Sequence, residues 1–222
     1  MALRRHVLLR IIKTEEMDAR ENTEDSKRRG VTMSRKLAVF FPGLGYTVDK
    51  PLLYYSRKLA ASAGYEIRLL PYTGFPDKIL GDKSRMQESY RIAFQQTEEM
   101  LSDVDFSAYD DLLFVGKSIG TAVATEYAAQ LQKQVRFVLY TPLEETFQFP
   151  IGDAIVFSGL DDPWVGKENS RIEALCIEND IPCTLIPSGN HSLETGNVQV
   201  DLANLQMIMK KTEEFVKMDS SL

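Results

Sequence analysis

The stretch Leu112-Leu113-Phe114-Val115-Gly116-Lys117-Ser118-Ile119-Gly120 decides how the rest of this sequence is read. Four apolar residues in succession suit a strand buried on both faces. After them, Ile119, Val123, Tyr127 and Leu131 recur at four-residue spacing, the stripe of a buried helix face. Strand, tight turn and helix therefore meet at Ser118, in a Gly-x-Ser-x-Gly pattern. Such a turn forces the serine backbone into a strained conformation, and Gly116 and Gly120 leave room for strand and helix to pass closely. The hydroxyl then stands clear of the sheet, at the positive end of a helix. The plainer alternative is a glycine-rich turn with a capping serine.

Working outward, further apolar runs lie at Leu37–Phe41, Ile67–Leu70, Val135–Tyr140, Ala154–Phe157 and Cys183–Ile186. They are near-continuous rather than alternating, as expected of parallel strands covered on both sides. Between them come helical periods. Met86, Tyr90, Phe94, Thr97 and Leu101 form one, with Asp82 available as its cap; Ile172, Leu175 and Cys176 form another. Val198, Leu202, Leu205, Met209 and Val216 mark a long C-terminal helix. The fold class is α/β: about six mostly parallel strands with helices on both faces. The connection Thr141–Asp153 holds two prolines and leaves no room for a helical insertion.

Ligands of open parallel sheets sit beyond the carboxyl ends of the strands, so the residues following each run carry the chemistry. A serine hydroxyl needs a base to take its proton. Of the two histidines, His6 lies in a polar N-terminal stretch, whereas His191 follows the sixth run in Pro187-Ser188-Gly189-Asn190-His191-Ser192. A carboxylate is needed to hold that imidazole, and the fifth run leads into Gly159-Leu160-Asp161-Asp162-Pro163-Trp164, which offers two. The first run leads into Pro42-Gly43-Leu44-Gly45-Tyr46. Backbone N–H groups of Leu44 and Ile119 are the expected donors to an oxyanion.

The chain order Ser118, aspartate, His191 on successive strand ends resembles the α/β-hydrolase superfamily from about Arg35 onward, and within it the small, cap-poor members near the dienelactone-hydrolase group. The resemblance implies a single-domain fold and a catalytic triad whose acid stands three residues after a glycine. Counted from Gly159 this is Asp162 rather than Asp161. It further implies hydrolysis of a small carboxylic ester or thioester through an acyl-enzyme. The chain departs from the family in showing no antiparallel strands before the oxyanion loop, so a trimmed sheet is expected, and in the short Thr141–Asp153 link, so no large lid is expected. Where that group often has cysteine, this chain has Ser118; Pro42 stands where the family usually has histidine.

The chain has 222 residues, 44% hydrophobic and 26% charged, with net charge −6. This is ordinary for a globular domain and argues against a nucleic-acid binder. No apolar run approaches the roughly 20 residues that span a bilayer. Cys176 and Cys183 form neither a disulfide framework nor a metal-ligand pattern; they read as buried thiols in a reducing cytoplasm. No cofactor or metal is expected. Met1–Gly30 carries eight basic and six acidic residues and lacks a cleavable leader's pattern, so residues 1–32 are expected to be a charged, flexible extension and 33–222 the domain. Lys117 is expected to be solvated, as loop lysines usually are, and Trp164 to anchor the acid loop by packing. The competing function is a non-catalytic binding or scaffold protein that retains the fold.

Overall fold

Leu37, Val39 and Phe41 face one apolar layer while Ala38 and Phe40 face another, so the strand that carries them is buried from both sides. The computed structural model describes residues 34–164 and 170–218. The expected extension at 1–32 lies outside the described residues. In chain order the elements are β1 (Lys36–Phe41), α1 (Pro51–Ser62), β2 (Tyr65–Leu69), α2 (Lys83–Leu101), β3 (Asp111–Lys117), α3 (Ile119–Gln130), β4 (Arg136–Tyr140), β5 (Ala154–Gly159), α4 (Ser170–Glu178), β6 (Cys183–Ile186) and α5 (Val198–Lys217).

All six strands are parallel, in the order β2-β1-β3-β4-β5-β6. Ala93 and Leu101 of α2, Val123 and Ala124 of α3, and Ile172 and Cys176 of α4 cover one face. Leu52, Leu53 and Ala60 of α1 and Ile208, Phe215 and Val216 of α5 cover the other. Cys176 is buried and Cys183 half-buried; both are free thiols. Asp82 caps α2 as its position suggests, accepting hydrogen bonds from the Ser84 and Arg85 amides. α1 was not among the expected helices. Its signals are Pro51 in the first turn and buried Leu52, Leu53, Ser56 and Ala60.

Among the buried polar side chains are two clusters that tie helices and strands together. At the amino end of the sheet Asp111 accepts from the Tyr65 hydroxyl and faces the Arg136 guanidinium at 3.5 Å. From the carboxyl end of β4, the Tyr140 hydroxyl touches Ser56 Oγ of α1 and Thr212 Oγ1 of α5, each at 2.8 Å. The connection Thr141–Asp153 contains only the 3₁₀ turn Glu144–Gln148, so no lid domain rises from it. Register pairs Phe41 with Gly116, Lys117 with Tyr140, and Gly159 with Ile186. The ends of β1, β3, β5 and β6 are thereby brought to one side of the sheet.

Candidate active site

β3 ends at Lys117, and Ser118 adopts φ 56° and ψ −128° before α3 begins at Ile119. A non-glycine residue there stores of order 1–3 kcal/mol of strain, so the surroundings must hold it. They do: the Ser118 amide donates to the Tyr140 carbonyl (3.0 Å), and its own carbonyl accepts from the Thr121 amide (2.8 Å) and hydroxyl (2.6 Å). Thr121 Oγ1 also meets Thr146 Oγ1 at 2.6 Å, which ties the turn to the 141–153 connection. Gly120 is needed for close approach. A Cβ at that position would sit 2.2 Å from the Phe41 carbonyl oxygen.

The three expected site side chains form one hydrogen-bonded line. His191 Nε2 lies 2.7 Å from Ser118 Oγ, and His191 Nδ1 lies 2.7 Å from Asp162 Oδ2. A carboxylate only accepts, so Nδ1 carries the ring proton and Nε2 is free to accept from the serine hydroxyl. The second carboxylate oxygen of Asp162 accepts from the Trp164 amide at 2.9 Å. Asp162 and Ser118 are buried, while the His191 side chain keeps 18% of its surface open. Asp161 is exposed; its amide donates to the Gly189 carbonyl. Of the two aspartates it is Asp162 that touches His191. The alternative role that the sequence leaves to Asp161, capping a helix expected from near Lys167, falls outside the described residues.

Burial is the main force holding the His191 pKa below its ordinary value, with Lys117 adding to it and Asp162 opposing. The loop that carries the histidine is braced by Asn190, whose Oδ1 accepts from the Ser192 (2.7 Å) and Glu194 (3.2 Å) amides. The Trp164 ring packs against the imidazole, centroids 5.3 Å apart. Trp164 thus holds the acid loop through its amide as well as by packing. Thr121, Thr146 and Asn190 escaped the sequence reading; the only local signal was Asn190 as a side chain suited to turns.

Gly43 and Tyr46 exchange backbone hydrogen bonds (3.1 and 3.3 Å), closing a tight turn with Gly45 at φ 69°. The Gly43 amide is thereby occupied. Among the described residues the Leu44 amide donates to no protein acceptor. Ile119 heads α3, where backbone amides have no partner within the helix. The Gly43–Tyr46 turn comes close to Ser118: a Cβ on residue 43 would lie 3.1 Å from Ser118 Cβ. From Ile119 a groove of about 460 Å³ runs along α3, between Ala122 and Glu126 on one side and Met86 and Tyr90 of α2 on the other, with Leu143 and Phe149 closing it.

One expectation is overturned. Lys117 is not solvated: β3 continues through it, and its side chain has no exposed surface. A residue after a glycine reads as turn, but pairing with Tyr140 keeps it in the sheet.

No protein-family model matches the sequence, and no curated protein matches it significantly. Solved structures do resemble the fold. Est1E from Butyrivibrio proteoclasticus, with ferulic acid bound, superimposes with TM-score 0.58 at 11% identity, covering 84% of this chain and 90% of that one. The Pyrococcus furiosus esterase Pf2001 gives 0.56 at 13%, covering 83% of each chain. An α/β serine hydrolase without a lid from Xanthomonas campestris gives 0.50 at 16%, covering 82% of this chain and 84% of that one. These likenesses do not single out the dienelactone-hydrolase group. With six parallel strands, an elbow at Ser118 and no lid domain among the described residues, the chain has the α/β-hydrolase fold.

Proposed function

We propose that the protein is a serine hydrolase that cleaves a small carboxylic ester or thioester. The observation that carries this reading is the continuous line from Ser118 Oγ through His191 to Asp162, with 2.7 Å at each junction and the serine held at positive φ. His191 Nε2 takes the hydroxyl proton as Ser118 Oγ bonds to the substrate carbonyl carbon. The carbonyl π pair moves to oxygen, where the Leu44 and Ile119 amides receive it. Collapse expels the alcohol or thiol, which leaves with the proton from Nε2, and an acyl-enzyme remains. Water then repeats the sequence, releasing the acid and restoring Ser118. Asp162 stays ionised throughout, fixing the tautomer and stabilising the imidazolium.

The esterases and serine hydrolase among the structural neighbours support the reaction class. The complete hydrogen-bonded line favours an enzyme over a scaffold that merely keeps the fold. Two free thiols accord with residence in the cytoplasm. The test is covalent labelling with a fluorophosphonate probe. Ser118→Ala should abolish labelling and leave the circular dichroism spectrum unchanged; equal labelling of this variant would overturn the assignment.

A further inference from the structure

Lys117 is the residue least explained by the scheme above. It is wholly buried, and among the described residues its Nζ has no hydrogen-bond partner. The side chain runs beneath the Gly43–Tyr46 turn: a Cβ on residue 43 would lie 3.5 Å from Lys117 Cγ, and Nζ lies 5.0 Å from the centre of the Tyr46 ring. Burying an unpaired ammonium is costly, and a methionine would fill the same space without that cost. What lysine adds there is charge. Burial brings its pKa down to about 7, against the pull of Asp162.

We propose that Lys117 is a positioning residue: buried under the Gly43–Tyr46 turn and one residue before Ser118, whose Oγ meets His191, its ammonium repels a proton arriving at the imidazole. The groups that face His191 are Asp162, which attracts a proton by hydrogen bond and by charge, Ser118, and Lys117, which opposes. Asp162 acts on Lys117 through its charge, the Tyr46 ring lies against Nζ, and Glu194 acts on Tyr46 from the histidine loop. As the solution is acidified from neutrality, Lys117 takes its proton first. His191 must then accept a second positive charge next to one already present. The base therefore stays available to a lower pH than Asp162 alone would permit. Its value to turnover rests on the reading of His191 as the base; the electrostatic effect does not.

The experiment separates the two. The chain has two histidines, so His6→Gln leaves His191 as the single imidazole. In that background the Cε1–H resonance of His191 is followed by ¹H–¹³C correlation from pH 4 to 9, with Lys117, Lys117→Met and Lys117→Gln. Both replacements should raise the His191 midpoint by at least about half a pH unit, since both delete the charge while differing in polarity. An unchanged or lower midpoint in either variant overturns the proposal. Fluorophosphonate labelling of the same proteins should show its acid limb displaced upward by the same amount. Failure of the Lys117 parent to label would count against the hydrolase reading, while the titration still decides the role of Lys117.

Discussion

Gly159→Ala would test whether the acid and the base are held together by backbone contact. A Cβ at residue 159 would lie 2.1 Å from the Gly189 carbonyl oxygen and 2.6 Å from that of Asn190. Ordinary contact begins at 3.4 Å, so the two segments must part by about 1.3 Å. The obstacle is backbone, which no rotamer change can remove. Parting breaks the hydrogen bonds from Leu160 N to Ile186 O (3.0 Å) and from Asp161 N to Gly189 O (2.9 Å). At roughly 1 kcal/mol each, with added strain, the loss of stability should be about 2–4 kcal/mol. The same movement carries His191 away from Asp162, stretching a 2.7 Å contact beyond hydrogen-bond range. Misplacement on that scale should slow labelling by about 100-fold. Urea unfolding followed by circular dichroism gives the first quantity and fluorophosphonate labelling the second. Gly152→Ala is the control: its Cβ would meet only the Val135 carbonyl, at 3.2 Å, and labelling should not change. Labelling of Gly159→Ala within threefold of the parent would refute the argument.

Asp162→Asn should reduce turnover of a 4-nitrophenyl ester by orders of magnitude, because His191 loses its orienting anion, whereas Asp161→Asn should be mild. Lys117→Met should raise stability most below pH 7. The folded pKa of about 7 lies under the ordinary 10.5, so the native lysine regains stability as pH rises between those values. The gap, on the order of 5 kcal/mol, should close by pH 10.5 in urea melts, and a pH-independent gap would contradict it. Acetyl to butyryl esters should exceed chains of ten or more carbons in kcat/KM, since no lid among the described residues covers the site; each methylene that stays wet forgoes about 0.8 kcal/mol. A steady rise with chain length would refute this. Deleting residues 1–32 should leave Tm and activity nearly unchanged, as judged by calorimetry and ester hydrolysis.

The central strands were legible because burial on both faces writes them as unbroken apolar runs. At the edge the signal weakens: β2 begins at Tyr65, two residues before the apolar run, and Glu66 is exposed. β3 is longer than its apolar centre because Asp111 and Lys117, both charged types, are buried at its ends. Composition alone cannot announce that. α1 was overlooked since its buried face includes Ser56, a small polar residue whose partner Tyr140 is 84 positions away. The positions of Ser118, His191 and Asp162 were readable as punctuation after strands. Their braces were not, because Thr121 to Thr146 and Trp164 to His191 meet only in the folded chain.

The hydroxyl group buried around Tyr140 has a consequence in its proton inventory. Ser56 Oγ lies 2.6 Å from the Leu52 carbonyl and Thr212 Oγ1 lies 2.9 Å from the Ile208 carbonyl, in addition to their contacts with Tyr140. Three hydroxyls bring three protons to four oxygen–oxygen contacts. One contact is therefore always without a proton, and the Tyr140 proton can point toward α1 or toward α5 but not both. Removing that hydroxyl leaves Ser56 and Thr212 each donating to its own helix, so neither is orphaned. Tyr140→Phe should cost less than about 1 kcal/mol despite complete burial. The group's contribution is therefore one of direction, setting how two helices turn toward one strand, more than one of energy.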